Sequence, residues 1–329
     1  MPLRQRAAAS VAGLFRQCRA AASTASGASA RKAAPRAWAG SLVAGTAVAA
    51  TAGTWLSTSF VACDGAPKEK DRLAGWQNRW DTGNTSWHIE SVNPYLLRFL
   101  AELLPGESPA KGGMGTRVLV PLCGKTADMD FLARKGYRVV GIEGIKKAID
   151  EFAAERSESG RPVPIALPPE INAEKFQASA TLLKWDPPVH ATGEEPPQPV
   201  ILIHGDFFAL GVPEAEALVP FDAAMDRGSL VAINPDDRPQ YMQTMYHLMK
   251  DGGRVLLVAT EHDAFRDGRL GPPFEVTEKQ LQSLCAGKFE VKLLLRQDMY
   301  EKDPMPKARG CTRFAETVYL LTKKAPAKK

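Results

Sequence analysis

Thr116 to Glu143 reads TRVLVPLCGKTADMDFLARKGYRVVGIE. Arg117 to Leu122 is a short apolar run rich in β-branched residues, which suits a strand covered on both faces. Cys123-Gly124-Lys125 breaks it. Ala127, Met129, Phe131, Leu132 and Ala133 then alternate with Asp128, Asp130, Arg134 and Lys135 as on a half-buried helix, and Gly136 is a helix stop. Tyr137 to Ile142 is a second strand with Glu143 at its carboxyl end, 21 positions after Leu122. Ligands of an open α/β sheet bind at the carboxyl ends of the strands, where an acid accepts both ribose hydroxyls of a nucleoside. The stretch therefore predicts a parallel-sheet domain with a nucleoside-bearing cofactor.

Outward from this unit the α/β pattern continues. Asn93 caps a helix over 94–104 with Pro94 at its first position, and Lys146 to Glu155 is another helix. Residues 160–199 form a proline-rich insert, read as a surface excursion with a short hairpin over 175–185. Val200 to Phe208 is a strand ending in Asp206 and Phe207, which suits adenine: the acid accepts from the exocyclic amine and the ring packs on the base. Strands follow at 221–230, 254–260, 289–295 and 314–321, with helices at 238–250 and 277–285. Seven strands whose last two are joined without a long helix predict a three-layer α-β-α, Rossmann-like sheet with the last strand antiparallel, as in class I methyltransferases, rather than a six-stranded dehydrogenase sheet. The first turn agrees. It has one glycine, Gly124, and lacks the G-x-G-x-x-G that lets a pyrophosphate approach a helix N-terminus. S-adenosylmethionine carries no phosphate and needs no such nest.

Trp76, Trp80 and Trp87 precede this sheet. Trp76 and Trp80 are four apart and share a helix face. They either fill a core or cover a flat or cationic ligand, where a ring face gains on the order of 1 kcal/mol against a sulfonium.

The net charge of +5 on 329 residues misleads. Residues 1–36 hold Arg4, Arg6, Arg16, Arg19, Arg31, Lys32 and Arg36 and no acid; the rest carries 35 basic against 37 acidic groups. The basic surplus belongs to the leader, so nothing supports a nucleic-acid surface. The leader is transit-like. Residues 37–63 carry no charge and are long enough to span a bilayer, though poor in large apolar side chains. Three readings fit: a mitochondrial presequence with a single inner-membrane anchor, a long cleaved or disordered presequence, or a low-complexity tail on a cytosolic enzyme. A charged linker, 64–72, leads to a folded domain over 73–323, and 324–329 is a basic tail. The cysteines (18, 63, 123, 285, 311) and histidines (88, 190, 204, 247, 262) lack metal-ligand spacing, so no metal is expected. Cys123 reads as a small residue in a tight bend.

Four segments in order, WDTGNTSWH (80–88), PLCGKTADMDFLARKGYRVVGIE (121–143), MDRGSLVAINPDDRPQY (225–241) and GPPFEVT (271–277), resemble the thiopurine S-methyltransferase family. The resemblance spans Trp76 to Lys323. It implies a cytoplasmic, monomeric enzyme that moves a methyl group from S-adenosylmethionine to small aromatic or heterocyclic thiols. It also implies residue roles. Trp76 through Trp87 cover the cofactor, with Trp80 near its methionine part. Leu122, Gly124 and Glu143 hold the methionine and adenosyl moieties, and Asp206 and Phe207 flank the adenine. Arg227 counts among the cofactor-binding residues and, with Asp226, acts at the substrate end, stabilising an anionic sulfur or deprotonating it through water. Trp87 and Arg309 complete the substrate pocket. The alternative for Arg227 is an ion pair with Asp226 or Glu143 that stiffens the loop. Two other functions share the fold: methylation of aliphatic thiols or selenium compounds, and cofactor binding without catalysis.

Overall fold

A computed structural model describes residues 69–106, 115–185, 196–218 and 220–325. The leader 1–36, the uncharged segment 37–63, most of the linker and the last four residues of the basic tail lie outside the described residues. Among those described, no helix is long and apolar enough to cross a membrane.

In chain order the elements are α1 (Glu69–Asp81), α2 (Pro94–Leu103), β1 (Arg117–Pro121), α3 (Ala127–Arg134), β2 (Arg138–Glu143), α4 (Lys146–Arg156), β3 (Val163–Ile165), β4 (Gln177–Thr181), β5 (Val200–His204), α5 (Val212–Ala217), β6 (Phe221–Arg227), α6 (Arg238–Leu248), β7 (Met249–His262), α7 (Glu278–Cys285), β8 (Phe289–Asp298), α8 (Pro304–Ala308) and β9 (Phe314–Lys323). They build one nine-stranded sheet in the order β3-β4-β5-β2-β1-β6-β7-β9-β8. From β5 to β7 the strands are parallel, and β9 runs antiparallel between β7 and β8.

The seven expected strands are all present, and the α/β class I methyltransferase architecture holds. The strand count is nine because the insert adds β3 and β4 beyond β5. The expected hairpin over 175–185 is corrected: that segment gives one strand, β4, whose partner β3 comes from the start of the insert. Its second half is drawn away by the Ser157–Leu183 bridge and by the Lys184 N–H, which donates to the Arg156 carbonyl at 2.9 Å.

The core follows from strand alternation. Val118 and Val120 of β1 face one layer, with Leu96, Phe99 and Leu103 of α2 and Met129 and Leu132 of α3. Leu119 faces the other, where Tyr241, Met245 and Leu248 of α6 and Leu281 of α7 pack. All five β1 residues are buried, as the apolar run predicts. Thr126 caps α3, Asn93 caps α2 and Thr277 opens α7 with a capping box, so the turns fix the helix starts.

The first described helix, α1, begins at Glu69. Arg72 ties that first turn down: it pairs with Asp237 at 3.1 Å and lies 4.1 Å over the Phe208 ring.

Candidate active site

The carboxyl ends of β1, β2, β5 and β6 open into a cavity of about 840 Å³. Its floor is the turn after β1. Leu122 adopts φ +42°, a strained left-handed conformation for a branched side chain, and Gly124 follows at φ +52°. Two bonds pin this double bend to the end of β2. The Cys123 N–H donates to the Ile142 carbonyl at 3.1 Å, and the Gly124 N–H donates to Glu143 Oε2 at 2.7 Å. A Cβ on Gly124 would just touch Trp80 Cζ2 at 3.4 Å, so it is the positive φ rather than the space that asks for glycine here. Cys123 is buried against Gly141, and burial pushes its thiol well above the usual range. It is a neutral packing group, as its bend position suggested.

Glu143 is 7% exposed. Its Oε1 accepts from the Ile145 N–H at 2.8 Å. Burial raises its carboxyl above the usual range, opposed by the N–H groups of Gly124, Ile145 and Gly144.

The α1 wall carries Trp76 and Trp80, and the loop after it carries Trp87. Trp80 is buried against Ile145 and Ala148, and its carbonyl accepts from Lys147 Nζ at 2.8 Å. Trp76 and Trp87 meet edge to face at 5.2 Å, and Trp87 stands 6.2 Å from Trp80. Trp80 packs in a small core, and all three rings line the cavity.

Opposite them, Asp206 caps the short 3-10 turn Phe207–Ala209 by accepting from the Phe208 N–H at 3.0 Å. Phe207 is 1% exposed and lies 5.0 Å from the Tyr241 ring.

Arg227 ends β6. Its Nη1 donates to the Trp87 carbonyl at 2.6 Å. Burial lowers its pKa, and the nearby carboxylates Glu316 and Asp128 oppose that shift. The alternative, an ion pair with Asp226 or Glu143, is not found among the described residues. Asp226 is corrected as a catalytic residue, because adjacent strand residues point to opposite faces. Its carboxylate lies outside the cavity lining, 1% exposed, accepting from the Tyr241 hydroxyl at 2.7 Å and the Leu230 N–H at 3.3 Å. It shapes the loop after β6, where the Ser229 hydroxyl donates to the Pro121 carbonyl at 2.7 Å.

Trp76, Trp80, Trp87, Leu122, Gly124, Glu143, Asp206, Phe207, Arg227 and Arg309 all line the one cavity. Sequence reasoning missed Asp128, Tyr95 and Glu316. Asp128 is buried and accepts from the Asn93 N–H at 2.7 Å. Tyr95 donates to Glu316 Oε2 at 2.6 Å, and burial together with that acceptor raises its hydroxyl pKa well above the usual value. The available signal was an acid inside the apolar β9 run and an acid in the first turn of α3.

The residues fit S-adenosylmethionine. Glu143 and Asp206 give acceptors for ribose and adenine, the indoles give faces for a sulfonium, and Gly124 leaves room for close approach.

The strand order and this site define a class I methyltransferase. The family model for thiopurine S-methyltransferase (TPMT) matches residues 71–324. The chain belongs to that family, and so is a methyltransferase that uses S-adenosylmethionine. A thiopurine S-methyltransferase of Bordetella petrii is 32% identical over 247 residues, covering 75% of this chain and 96% of that protein. One of Pseudomonas fluorescens is 33% identical over 250 residues, with the same coverage, 75% and 96%. Among solved structures, the 1,6-didemethyltoxoflavin-N1-methyltransferase of Burkholderia thailandensis, with 1,6-didemethyltoxoflavin and S-adenosylhomocysteine bound, is 20% identical with a TM-score of 0.49, covering 81% of this chain and 94% of that one.

Proposed function

We propose that this enzyme methylates the sulfur of small aromatic or heterocyclic thiols. One observation carries the reading: the cavity that Glu143, Asp206 and Trp76 line is also lined by the flat ring of Trp87, whose carbonyl accepts from Arg227 at 2.6 Å. When bound, the cofactor supplies an activated methyl group. Glu143 accepts the ribose hydroxyls, while Asp206 and Phe207 hold the adenine. Leu122 and Gly124 form the wall behind the methionine part, with Trp76 and Trp80 over it. Trp87, fixed by the bond from Arg227 to its carbonyl, would flank a planar acceptor and hold its sulfur near Arg227; positioning of this kind supplies much of the rate.

Arg227 favours the anionic sulfur electrostatically. Asp128 and Glu316, the carboxylates nearest Arg227, offer a destination for the sulfur proton. Glu316 is held in place by Tyr95.

The test is methyl transfer to 6-mercaptopurine and thiophenol by the full chain, with S-adenosylhomocysteine binding measured in parallel. Cofactor binding without methylation of either thiol sinks the acceptor assignment and turns attention to aliphatic thiols or selenium compounds.

We infer from the leader that residues 1–63 direct the enzyme to mitochondria, with 37–63 as a candidate membrane anchor, and we propose separately that the folded domain acts as a monomer. Imaging fusions with and without residues 1–63 tests the first point. A cytoplasmic distribution for both fusions refutes it.

A further inference from the structure

The cavity is divided by charge. Its buried acids, Glu143 and Asp128, lie deep, with Glu316 and Arg227 beside them. Lys125 also lines it, but is committed to Glu151 at 3.0 Å and Glu155 at 2.5 Å. The more exposed part is basic. Arg79 enters from α1, Arg266 and Arg269 from the turn after β7, and Arg309 from the end of α8.

These arginines are held in place by groups that leave charge to spare. Arg79 lies 4.9 Å over the Trp76 ring and 5.9 Å over the Trp87 ring. Arg309 lies 3.5 Å over the Phe265 ring and donates to the Pro272 carbonyl at 3.2 Å. Among the described residues, no carboxylate stands within ion-pair distance of Arg79 or Arg309. Two acids line this part of the cavity. Asp267 is bound to Arg269, and Asp303 caps α8 by accepting from the Met305 N–H at 2.9 Å. Burial lowers the pKa of both Arg79 and Arg309, and the charge of Arg269 adds to each shift. Asp267 offsets Arg269 and part of the Arg309 charge, but crowding Arg79 and Arg309 around Arg269 with no ion-paired carboxylate of their own is costly, and an anion set between them relieves that cost.

We propose that Arg79 and Arg309, with Arg269, form an anion subsite for the acceptor, so that the preferred thiols carry a carboxylate on the side of the ring away from the sulfur. This rests on the reading that an aromatic thiol enters the same cavity. The acceptor then lies with its sulfur at the Arg227 end and its anionic group at the rim. Planar guanidinium groups already stacked on Trp76 and Phe265 offer a carboxylate pre-oriented donors.

The test compares 4-mercaptobenzoate with its neutral isostere 4-mercaptobenzamide, on the full chain saturated with S-adenosylhomocysteine. Calorimetry should show the benzoate binding about tenfold more tightly at low salt, as charge-assisted hydrogen bonds are stronger than neutral ones. The preference should shrink at high salt and in Arg79→Met and Arg309→Met. Equal binding of the two thiols by the unaltered enzyme overturns the proposal, as does a preference that survives the double substitution. So does a double variant that loses S-adenosylhomocysteine affinity while keeping its discrimination, because the cluster would then serve the cofactor's carboxylate. Turnover is scored separately. Selective binding of the benzoate without methylation of either thiol refutes the S-methylation reading and leaves the anion subsite standing. Methylation of both at equal efficiency and equal affinity does the reverse.

Discussion

Glu143 Oε2 and the Gly124 N–H lie 2.7 Å apart, which joins the end of β2 to the turn after β1. The same carboxylate takes the Ile145 N–H on its other oxygen. Glu143 is thus positioned before any ligand arrives, and its remaining acceptor capacity faces the cavity it lines.

Glu143→Ala should therefore weaken S-adenosylhomocysteine binding by about 10- to 100-fold, since it removes a charge-assisted acceptor and loosens the turn. The maximal rate at saturating cofactor should fall less. Because burial raises this carboxyl, affinity should begin to drop, as pH falls, at a higher pH than an ordinary glutamate titrates. Calorimetry across pH measures both effects. Unchanged affinity with a large rate loss would contradict the cofactor role.

Arg227→Met should cut kcat/KM for thiols by about 10- to 100-fold, the scale of losing one positioned charge in a site shielded from water. Cofactor affinity should change less. The loss should be steeper for weakly acidic thiols than for thiophenol, which ionises unaided near neutral pH. Steady-state kinetics on a series of thiols of graded acidity reads this directly, and a uniform loss across the series would argue for simple misplacement of Trp87.

Asp226→Ala should act on stability rather than chemistry. It leaves the buried Tyr241 hydroxyl and the Leu230 N–H without their acceptor, at a cost of about 1–3 kcal/mol. Asp226→Asn keeps an acceptor oxygen and should cost less. Thermal unfolding ranks the two. A variant that unfolds normally but has lost turnover would restore Asp226 to the catalytic set.

Gly124→Ala introduces a side chain at φ +52° and 3.4 Å from Trp80. A positive φ alone costs about 1–2 kcal/mol for an L-residue. The expected result is a lower melting temperature together with weaker S-adenosylhomocysteine binding, because the strained turn shifts. Weakened stability with unaltered binding would separate the turn from the cofactor.

Asp263 clamps the end of β7 to the start of β9. It accepts from the Thr312 N–H at 3.0 Å, the Thr312 hydroxyl at 2.8 Å and the Arg313 N–H at 3.3 Å. These bonds hold its pKa down to about 2, against burial, from an ordinary value of 3.8. A depressed carboxyl stabilises the fold above its ordinary value, and that stability is lost as pH falls through the folded one. Asp263→Asn should lower the melting temperature at neutral pH by about 2 °C. The gap to the unaltered protein should narrow between pH 4 and 2. A gap that stays constant over that range would show that the charge is not what holds the clamp.

The sheet was legible in the sequence because its strands are apolar runs bounded by glycine, and because Glu143 and Asp206 fall at strand ends where ligands bind. The insert was not: β3 is three residues long and holds a proline, too little for any periodicity to register. Alternation along β6 should have excluded Asp226 once Arg227 was placed in the cavity, since neighbours on a strand face apart. Tyr95 and Glu316 lie 221 positions apart in the chain and meet only when α2 packs beside β9, so no local pattern joins them. The arginine rim is likewise assembled from α1, the turn after β7 and α8. Of its members only Arg309 was singled out.

The β3–β4 hairpin has one more consequence. Without it, β5 would end the sheet and present the backbone of Val200-Ile201-Leu202-Ile203 to solvent, an invitation to pair with another chain. The hairpin covers that strand and leaves as the new border a short one interrupted by Pro164, whose missing N–H blunts further pairing. In this chain the proline-rich insert guards against aggregation, and trimming it as a dispensable loop should yield an enzyme that self-associates through β5.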